Sequence, residues 1–324
     1  MKFNRMLAWV LVLVLALCPM VVAEESEEGL TGEGELSLGE LFDDEIIMDE
    51  LITVEDYAVT EDLPDEWWNI LLLGTDERYK VENKYGRTDS MIVLSVNLAT
   101  QEAKLTSLMR DTWVSMYSRD KKAKLNAACV YGGPELTMRT INESFGMNLS
   151  DYVLINITGL ADVIDVLGGV RVDVSSAERK ALNEGLFDLS SRSGMEKLQN
   201  SGEDVLLNGN QAVAYARIRK IDSDYQRTER QREVLMAIAE KLQGNSAGAL
   251  VGVVTSLLPY VETNLDIGKL MTLAYVGMQM DMAAIEQLRL PADGTYESGT
   301  FNGVWCIKPD FDKNKSILYN FIYG

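Results

Sequence analysis

The chain has 324 residues and a formal net charge of −20, and it contains no histidine. The missing histidine excludes Ser-His-Asp and Cys-His catalysis and all histidine-ligated metals, so any metal would have to bind through oxygen, as Mg²⁺ does. The acidity is concentrated, because Glu24 to Glu66 holds 18 of the 50 Asp and Glu and no Lys or Arg. The remainder is nearly neutral and has no DNA-reading motif, which argues against nucleic-acid binding.

Residues 1–23 have the pattern of an export segment. Lys2 and Arg5 precede an uncharged apolar run from Met6 to Ala23, and acidic residues follow it. This order of charges places the rest of the chain outside the cytoplasm. The run is near the lower length limit for a membrane span, and its end suits a signal peptidase. A retained single-pass anchor and a cleaved signal, with secretion of the protein, therefore both remain open.

Residues 24–66 are predicted to be a solvated, acidic extracytoplasmic spacer, because a block of like charge with few aromatic residues cannot bury enough apolar surface to fold. Within it, a short amphipathic piece such as residues 38–54 could still form and dock on the domain. Residues 67–324 are predicted to form a single folded domain, since they are long enough for one large core and contain no repeat or Pro-rich hinge. This part holds only two cysteines, Cys129 and Cys306, which either pair or remain free.

Short β-branched apolar runs alternate with helical patterns throughout the predicted domain. The predicted strands are 67–76, 89–100, 102–114, 151–157 and 170–174. The predicted helices are 135–146, 159–169, one starting within 208–219, 227–243 and 311–323. Residues 257–265 are expected to lead into further helix, and two apolar segments, 286–292 and 303–310, precede the last helix. Strands mixed with helices predict an α/β fold, a three-layer α/β/α sandwich around a mixed central sheet.

Two carboxylates lie at the ends of neighbouring predicted strands. Asp76 follows the first strand in LLLGTD, and Asp89 opens the second in GRTDS, near Arg87. If the strands are antiparallel, these ends lie side by side and the two aspartates can share a cation instead of repelling each other. The alternative is that each aspartate makes a local turn contact, which is a common role for this residue.

Arginines follow the third strand and gather again in the segment ARIRKIDSDYQRTERQ. Arg110, next to Asp111, can bind a phosphate through two parallel hydrogen bonds, or it forms a surface ion pair. If RTERQ is the first turn of a helix, Arg227, Arg230 and Gln231 share a helix face, and free backbone N–H groups nearby complete an anion site. The alternative is a solvated basic helix with local pairs such as Arg230 to Glu233.

Seven segments in uninterrupted order, between about residues 68 and 243, carry a family resemblance. They are LLLGTD, GRTDSMIVLSVN, LTSLMRDTWV, KLNAACVYGG, DYVLINITGLADVIDVLGGVRVDV, LNGNQAVAYARIR and DSDYQRTERQREVL. In this order they resemble the LytR-CpsA-Psr family of cell-wall assembly proteins. The resemblance implies an extracytoplasmic, Mg²⁺-dependent phosphotransferase that moves a glycopolymer, such as teichoic acid or capsule, from a polyprenyl-pyrophosphate carrier to peptidoglycan. The usual acceptor in that family is the 6-hydroxyl of N-acetylmuramic acid, and the family fold has an apolar pocket for the lipid chain.

The resemblance also implies roles for individual residues. By position, Asp76 and Asp89 match the residues that hold the metal. The residues that match pyrophosphate-binding positions, or lie in the motif beside the metal, are Arg87, Arg110, Lys124, Arg217, Arg219, Arg227 and Gln231. Asp89, Arg110 and Asp111 are the predicted catalytic residues, and the general base is either Asp111 or an aspartate near the metal.

Two other functions remain open from the sequence. With water in place of the sugar hydroxyl, the same site would be a hydrolase that releases the polymer from its lipid pyrophosphate. The protein could also be a non-enzymatic regulator that only binds the lipid pyrophosphate. The sequence does not identify the glycopolymer.

Overall fold

The computed structural model describes most of the chain after residue 50. The described residues are 51–75, 85–186, 196–218, 221, 224–243, 258–266, 268–270, 272–273, 276, 284–301 and 303–324. Asp76, Arg219, the export segment and the spacer up to residue 50 lie outside these ranges. None of the helices within them combines the length and apolar composition that a membrane crossing requires.

The described residues form twelve strands, six of them in one sheet. In chain order the strands are β1 (Trp67–Thr75), β2 (Thr88–Asn97), β3 (Ala103–Leu108), β4 (Trp113–Val114), β5 (Ala123–Lys124), β6 (Asp151–Asn156), β7 (Val170–Val174), β8 (Gly202–Leu207), β9 (Val261–Thr263), β10 (Glu286–Leu290), β11 (Tyr296–Phe301) and β12 (Val304–Pro309). The central sheet has the order β10-β3-β2-β1-β6-β9. It is mixed, since β1 is parallel to β6 and β3 is parallel to β10 while the other neighbours are antiparallel.

Helices cover both faces of this sheet. They are α1 (Ala128–Phe145), α2 (Ile157–Val166), α3 (Ser176–Gly185), α4 (Gly209–Ala216), α5 (Asp224–Gln243) and α6 (Phe311–Tyr323). Two 3₁₀ turns, Leu125–Ala127 and Leu258–Tyr260, lie before α1 and β9. The backbone of α1 is kinked at Gly132 and Gly133.

The side chains of β1 alternate between two buried clusters, which explains why its sequence is apolar throughout. Ile70 and Leu72 pack with α2, α4 and α5 on one face of the sheet. Leu71 and Leu73 pack with α1 and α6 on the other face. The predicted three-layer α/β/α sandwich around a mixed sheet is therefore confirmed.

Polar residues begin three helices on the same face of the sheet as α5. Asn156 caps α2, and Ser175 and Asn208 start α3 and α4 with complete capping boxes. Gly146 ends α1 with a φ of 70°, as predicted for a helix that stops at this glycine.

The acidic spacer is shorter than predicted. Residues 51–66 pack against α1 and its C-terminal turn, with backbone hydrogen bonds from Ile52 N to Tyr131 O (2.8 Å) and from Thr60 N to Met147 O (2.9 Å). Leu63 is buried. The apolar residues between the acids supply enough contacts for residues 51–66 to pack on the domain, so these residues are not solvated. Residues 51–54 belong to the amphipathic piece that was expected to be able to dock.

Other elements differ from the sequence-based expectation. The predicted strand 102–114 breaks after Leu108, and the turn between β3 and β4 holds Arg110 and Asp111. Residues 257–265 lead into helical residues at 268–270, 272–273 and 276, as expected, but they also contain edge strand β9, which was not predicted. Cys129 and Cys306 are both buried thiols, and they do not form the disulfide that the sequence left open.

Candidate active site

The ends of β1 and β2 lie side by side at one edge of the sheet. The two strands are antiparallel, and Thr75 pairs with Thr88, the residue before Asp89. This is the arrangement under which Asp76 and Asp89 were expected to share a cation, although Asp76 itself lies outside the described residues. The Asp89 side chain is only 3% exposed, so its carboxylate needs a cationic partner.

Four charged side chains form a row at this edge. Arg110 Nη1 donates to Asp89 Oδ1 at 2.7 Å, and Arg110 Nε donates to Asp111 Oδ2 at 3.3 Å. Lys124 Nζ lies 2.9 Å from Asp111 Oδ1. Arg110 therefore forms ion pairs, as the alternative to phosphate binding predicted. It does not form them on an open surface, however, because it links two of the predicted catalytic carboxylates.

A cavity of about 380 Å³ lies between this edge of the sheet and helix α5. Asp89, Arg110 and Asp111 line it from the sheet side, and Arg227 and Gln231 line it from α5. The apolar residues Met91, Ile92, Leu108 and Leu288 also line it. The structure thus brings five of the predicted site residues, from two distant parts of the sequence, to one cavity.

Arg227 and Gln231 are four residues apart, which places them on the same face of α5. Arg227 is only 5% exposed. The side-chain Nε2 of Gln231 is buried and makes no hydrogen bond within the part of the chain that the structure describes. Helix α5 begins at Asp224, so the expectation that RTERQ forms its first turn is wrong, and Arg227 is the fourth residue of the helix.

Arg230, one residue before Gln231, makes its contacts elsewhere. Its Nε donates to Glu178 Oε1 of α3 at 2.8 Å, and its Nη1 donates to Ile218 O at 3.2 Å. Glu233 accepts a hydrogen bond from the Tyr215 hydroxyl. Arg230 therefore ties α5 to the α3 and α4 region instead of joining the predicted anion site. Because Arg227 and Arg230 are both buried, the alternative of a solvated basic helix is wrong.

The contacts of Glu178 and Glu233 shift the pKa values of these two acids in opposite directions. Burial alone would raise the pKa of Glu178, but hydrogen bonds from Ser175 and Arg230 outweigh it and hold that pKa below its usual value. Burial raises the pKa of Glu233, and the Tyr215 hydroxyl offsets only part of the effect. Glu178 is thus the acid that Arg230 keeps ionised.

Three other predicted site residues do not line the cavity. Arg87 is exposed before β2, and Arg217 ends α4 as its C-cap residue. Lys124 is connected to the cavity only through Asp111. Arg219 falls outside the described residues.

The oxygen donors at the sheet edge fit a hard cation such as Mg²⁺. Asp89 supplies a buried carboxylate beside the cavity. The neighbouring Thr75 and Thr88 hydroxyl oxygens are buried and lack a hydrogen-bond partner among the described residues. Within those same residues there is no cluster of three acidic or cysteine side chains, so the donor set would be completed by substrate oxygens, water or Asp76.

Family comparison agrees with this arrangement. The model of the LytR_cpsA_psr family matches residues 47–320. The chain belongs to this family. Among its curated relatives is the polyisoprenyl-teichoic acid–peptidoglycan teichoic acid transferase TagU of Oceanobacillus iheyensis, which is 33% identical over 248 residues, covering 73% of this chain and 69% of the relative. TagU of Halalkalibacterium halodurans is 32% identical over 233 residues, covering 70% of each protein.

Solved structures of LytR_cpsA_psr relatives share the fold. The crystal structure of Bacillus subtilis TagV aligns with a TM-score of 0.62 at 25% identity, covering 80% of this chain and 98% of TagV. A structure of TagT bound to LIIa-WTA aligns with a TM-score of 0.61 at 25% identity, covering 84% of this chain and 92% of TagT. The family resemblance found in the sequence is confirmed.

One wall of the cavity was not predicted from the sequence. Gln287, Arg289 and Asp293 line it from strand β10 and the turn that follows. The one available signal was the alternation of polar Gln287 and Arg289 with Leu288 and Leu290, which predicts a strand with one polar face. Nothing in that pattern indicates that β10 would lie next to β3, so the polar face could not be assigned to the site.

Proposed function

We propose that this LytR_cpsA_psr protein is an extracytoplasmic phosphotransferase that moves a glycopolymer from a polyprenyl-pyrophosphate carrier to the 6-hydroxyl of N-acetylmuramic acid in peptidoglycan. The observation that carries the proposal is the cavity in which Arg110 and its two carboxylate partners face Arg227 and Gln231. The names of its TagU relatives, which describe teichoic acid transfer to peptidoglycan, support the same donor and acceptor classes.

The reaction is a displacement at phosphorus. The acceptor hydroxyl oxygen bonds to the phosphorus that carries the glycan, and the bond from that phosphorus to the bridging oxygen breaks. Polyprenyl phosphate leaves with the bonding electrons, so negative charge grows on its oxygens. The guanidinium groups of Arg110 and Arg227 stabilise that charge, and the Gln231 amide is a further donor within the cavity.

The hydroxyl proton must pass to a carboxylate, since the chain has no histidine. The Asp111 side chain is 16% exposed and that of Asp89 is 3% exposed. Asp111 is therefore the carboxylate that an acceptor entering from solvent can reach, and we assign it as the base. Lys124 and Arg110 hold its two oxygens in place.

Asp89 would hold a Mg²⁺ ion, together with Asp76 as the family resemblance implies. When bound, the ion would neutralise charge on the pyrophosphate oxygens. Arg110 already contacts Asp89 directly, so this side chain keeps the acid from being buried without a counter-charge.

The export segment supports a location outside the cytoplasm. If residues 1–23 remain as an anchor, they would keep the domain beside the membrane that carries the polyprenyl donor. If they are cleaved, the protein would be secreted. Fractionation of cells into membrane and culture medium, followed by immunoblotting, distinguishes these outcomes.

A transfer assay tests the proposal. The purified full chain is mixed with a labelled polyprenyl-pyrophosphate disaccharide and peptidoglycan fragments, with Mg²⁺ or with a chelator. We expect the label to become covalently attached to the fragments only with Mg²⁺. Asp89→Asn and Arg227→Ala should each reduce the rate by about 10² or more, as for other electrostatic catalytic groups, whereas Thr300→Ala, in exposed strand β11, should not.

The same assay separates the alternative functions. A label released as soluble sugar phosphate, with none on the fragments, would indicate the hydrolase. Tight binding of the donor without cleavage would indicate the regulator. Either result overturns the proposed transferase.

A further inference from the structure

The wall of the cavity formed by β10 is polar. Leu288 and Leu290 of this strand pack into the core cluster on the α1 and α6 side of the sheet. Because side chains alternate along a strand, Gln287 and Arg289 point to the other face, where α5 lies. Both line the same cavity as Arg227 and Gln231.

Strand β10 is fixed to the turn that carries Arg110. It pairs in parallel with β3, with Arg289 opposite Ser107. Just beyond the paired residues, Met109 N donates to Leu290 O at 2.8 Å. The position of Arg289 relative to Arg110 is therefore set by the sheet and not by a loose loop.

Arg289 and Asp89 line the cavity from strands that are two apart in the sheet. Strand β3 separates β10 from β2, which carries Asp89. With adjacent strands about 4.8 Å apart, β10 and β2 are about 10 Å apart. Arg110, Arg227 and Gln231 already supply the groups proposed to bind the pyrophosphate, so Arg289, on a separate strand of the wall, is available to the group attached to it.

The attached group that suits this wall is the glycan and not the lipid. A lipid chain packed against the guanidinium of Arg289 would remove water from this charged group without replacing the lost hydrogen bonds, and such desolvation is unfavourable. A phosphate or carboxylate, in contrast, can bind the guanidinium through two parallel hydrogen bonds. Gln287, two residues away on the same face, adds an amide that can hydrogen-bond to sugar hydroxyl groups.

The present partner of Arg289 can be replaced by such a ligand. Arg289 Nη2 pairs with Asp293 Oδ1, and the Asp293 side chain is 81% exposed. Exposed ion pairs of this kind are weak, since both charges are well solvated when they separate. Asp293 therefore keeps the guanidinium at the cavity without blocking a ligand anion from it.

We propose that Arg289 is a specificity residue that binds a phosphate or carboxylate on the glycan of the donor. The inference rests on the proposed function for the identity of the donor. Arg289 would make the protein selective for acidic glycopolymers. Arg110 and Arg227 differ in this respect, because the pyrophosphate that they are proposed to bind is present in every lipid-linked donor.

Direct binding of three donor probes to the full chain tests this assignment. The probes are a polyprenyl-pyrophosphate disaccharide, the same molecule extended by one glycerol phosphate, and the same molecule with a uronic acid as its terminal sugar. Wild type is compared with Arg289→Ala, Arg289→Lys and Asp293→Asn, and thermal unfolding of each variant confirms that it is folded. Transfer to peptidoglycan fragments is measured separately.

We expect Arg289→Ala to raise the Kd at least about tenfold for one or both acidic probes and less than twofold for the neutral probe. Arg289→Lys should fall between, because lysine keeps the charge but not the paired geometry. Asp293→Asn should bind the acidic probes at least as tightly as wild type, since the guanidinium loses a competitor. The acidic probe with the larger increase in Kd shows whether Arg289 binds a phosphate or a carboxylate.

Three results would overturn the assignment. They are equal losses for neutral and acidic probes, no loss with Arg289→Ala, and weaker binding of acidic probes by Asp293→Asn. Binding that discriminates as expected but leads to no transfer would refute the proposed phosphotransferase and leave the role of Arg289 intact.

Discussion

The buried ion pair between Arg230 and Glu178 is predicted to be a major contribution to the stability of the domain. The two side chains are 5% and 17% exposed, and they join α5 to α3. Arg230→Met removes the cation and its hydrogen bond to Ile218 O while retaining an unbranched apolar side chain. Glu178 would then be a largely buried carboxylate without its counter-charge.

We expect Arg230→Met to lower the free energy of unfolding by about 3 kcal/mol, the lower end for breaking a buried pair. The matched control is Arg171→Met. Arg171 pairs with Asp204 at 2.9 Å, close to the 2.8 Å of the Arg230 pair, but the side chains are 53% and 71% exposed. The control should cost less than about 1 kcal/mol, because exposed pairs contribute little.

Urea unfolding followed by circular dichroism measures both variants. The double variant Arg230→Met with Glu178→Gln should be more stable than Arg230→Met alone, since glutamine keeps a hydrogen-bond acceptor near Ser175 without the stranded charge. Equal small losses for Arg230→Met and Arg171→Met would refute the reasoning. So would a double variant whose loss is the sum of the two single losses.

Three further predictions concern acid, glycine and cysteine side chains. Because the pKa of Glu178 is below its ordinary value of 4.5 in the folded protein, its contribution to stability is present above pH 4.5 and is lost as the pH falls through its folded-state pKa. Glu178→Gln should therefore lose less stability than wild type between pH 6 and pH 3 in urea titrations, and equal slopes would contradict this. Gly209→Ala should destabilise by about 3 kcal/mol, since its Cβ would lie 2.0 Å from Ala161 O, whereas Gly168→Ala, with open space around it and a φ of +77°, should cost only about 1 kcal/mol by urea unfolding. Cys129 and Cys306 should react with a thiol reagent only after denaturation, and rapid labelling of either in the native protein would contradict their burial.

The sheet and its helices were predictable where the chain is buried on both sides. Strands such as β1 are continuous apolar runs, and α1 ends at a glycine that can adopt a positive φ. The three-residue strand β9 was not predictable, because its residues are all half-buried and give no alternation. Its place at the sheet edge is set by pairing with β6 and not by its own sequence.

The site was predictable in its residue types but not in its assembly. Asp89 and Arg110 could be selected because they lie at strand ends, where side chains of neighbouring strands converge. The β10 wall could not, since a strand far along the chain reaches β3 only through parallel pairing that no local pattern specifies. The sequence therefore identified the groups around the proposed pyrophosphate position and missed those beside the proposed glycan.

Arg227, Arg230 and Gln231 show why helical periodicity alone cannot assign a site. Their spacing of three and four residues makes all three neighbours on one side of α5. Their tertiary contacts distinguish them. Arg230 pairs with Glu178, which is held in the capping box of α3, whereas Arg227 and Gln231 line the cavity. A cation held by a buried carboxylate fixes the rotation of the helix about its own axis. The orientation of the two cavity side chains is thus set by a third residue that does not enter the cavity.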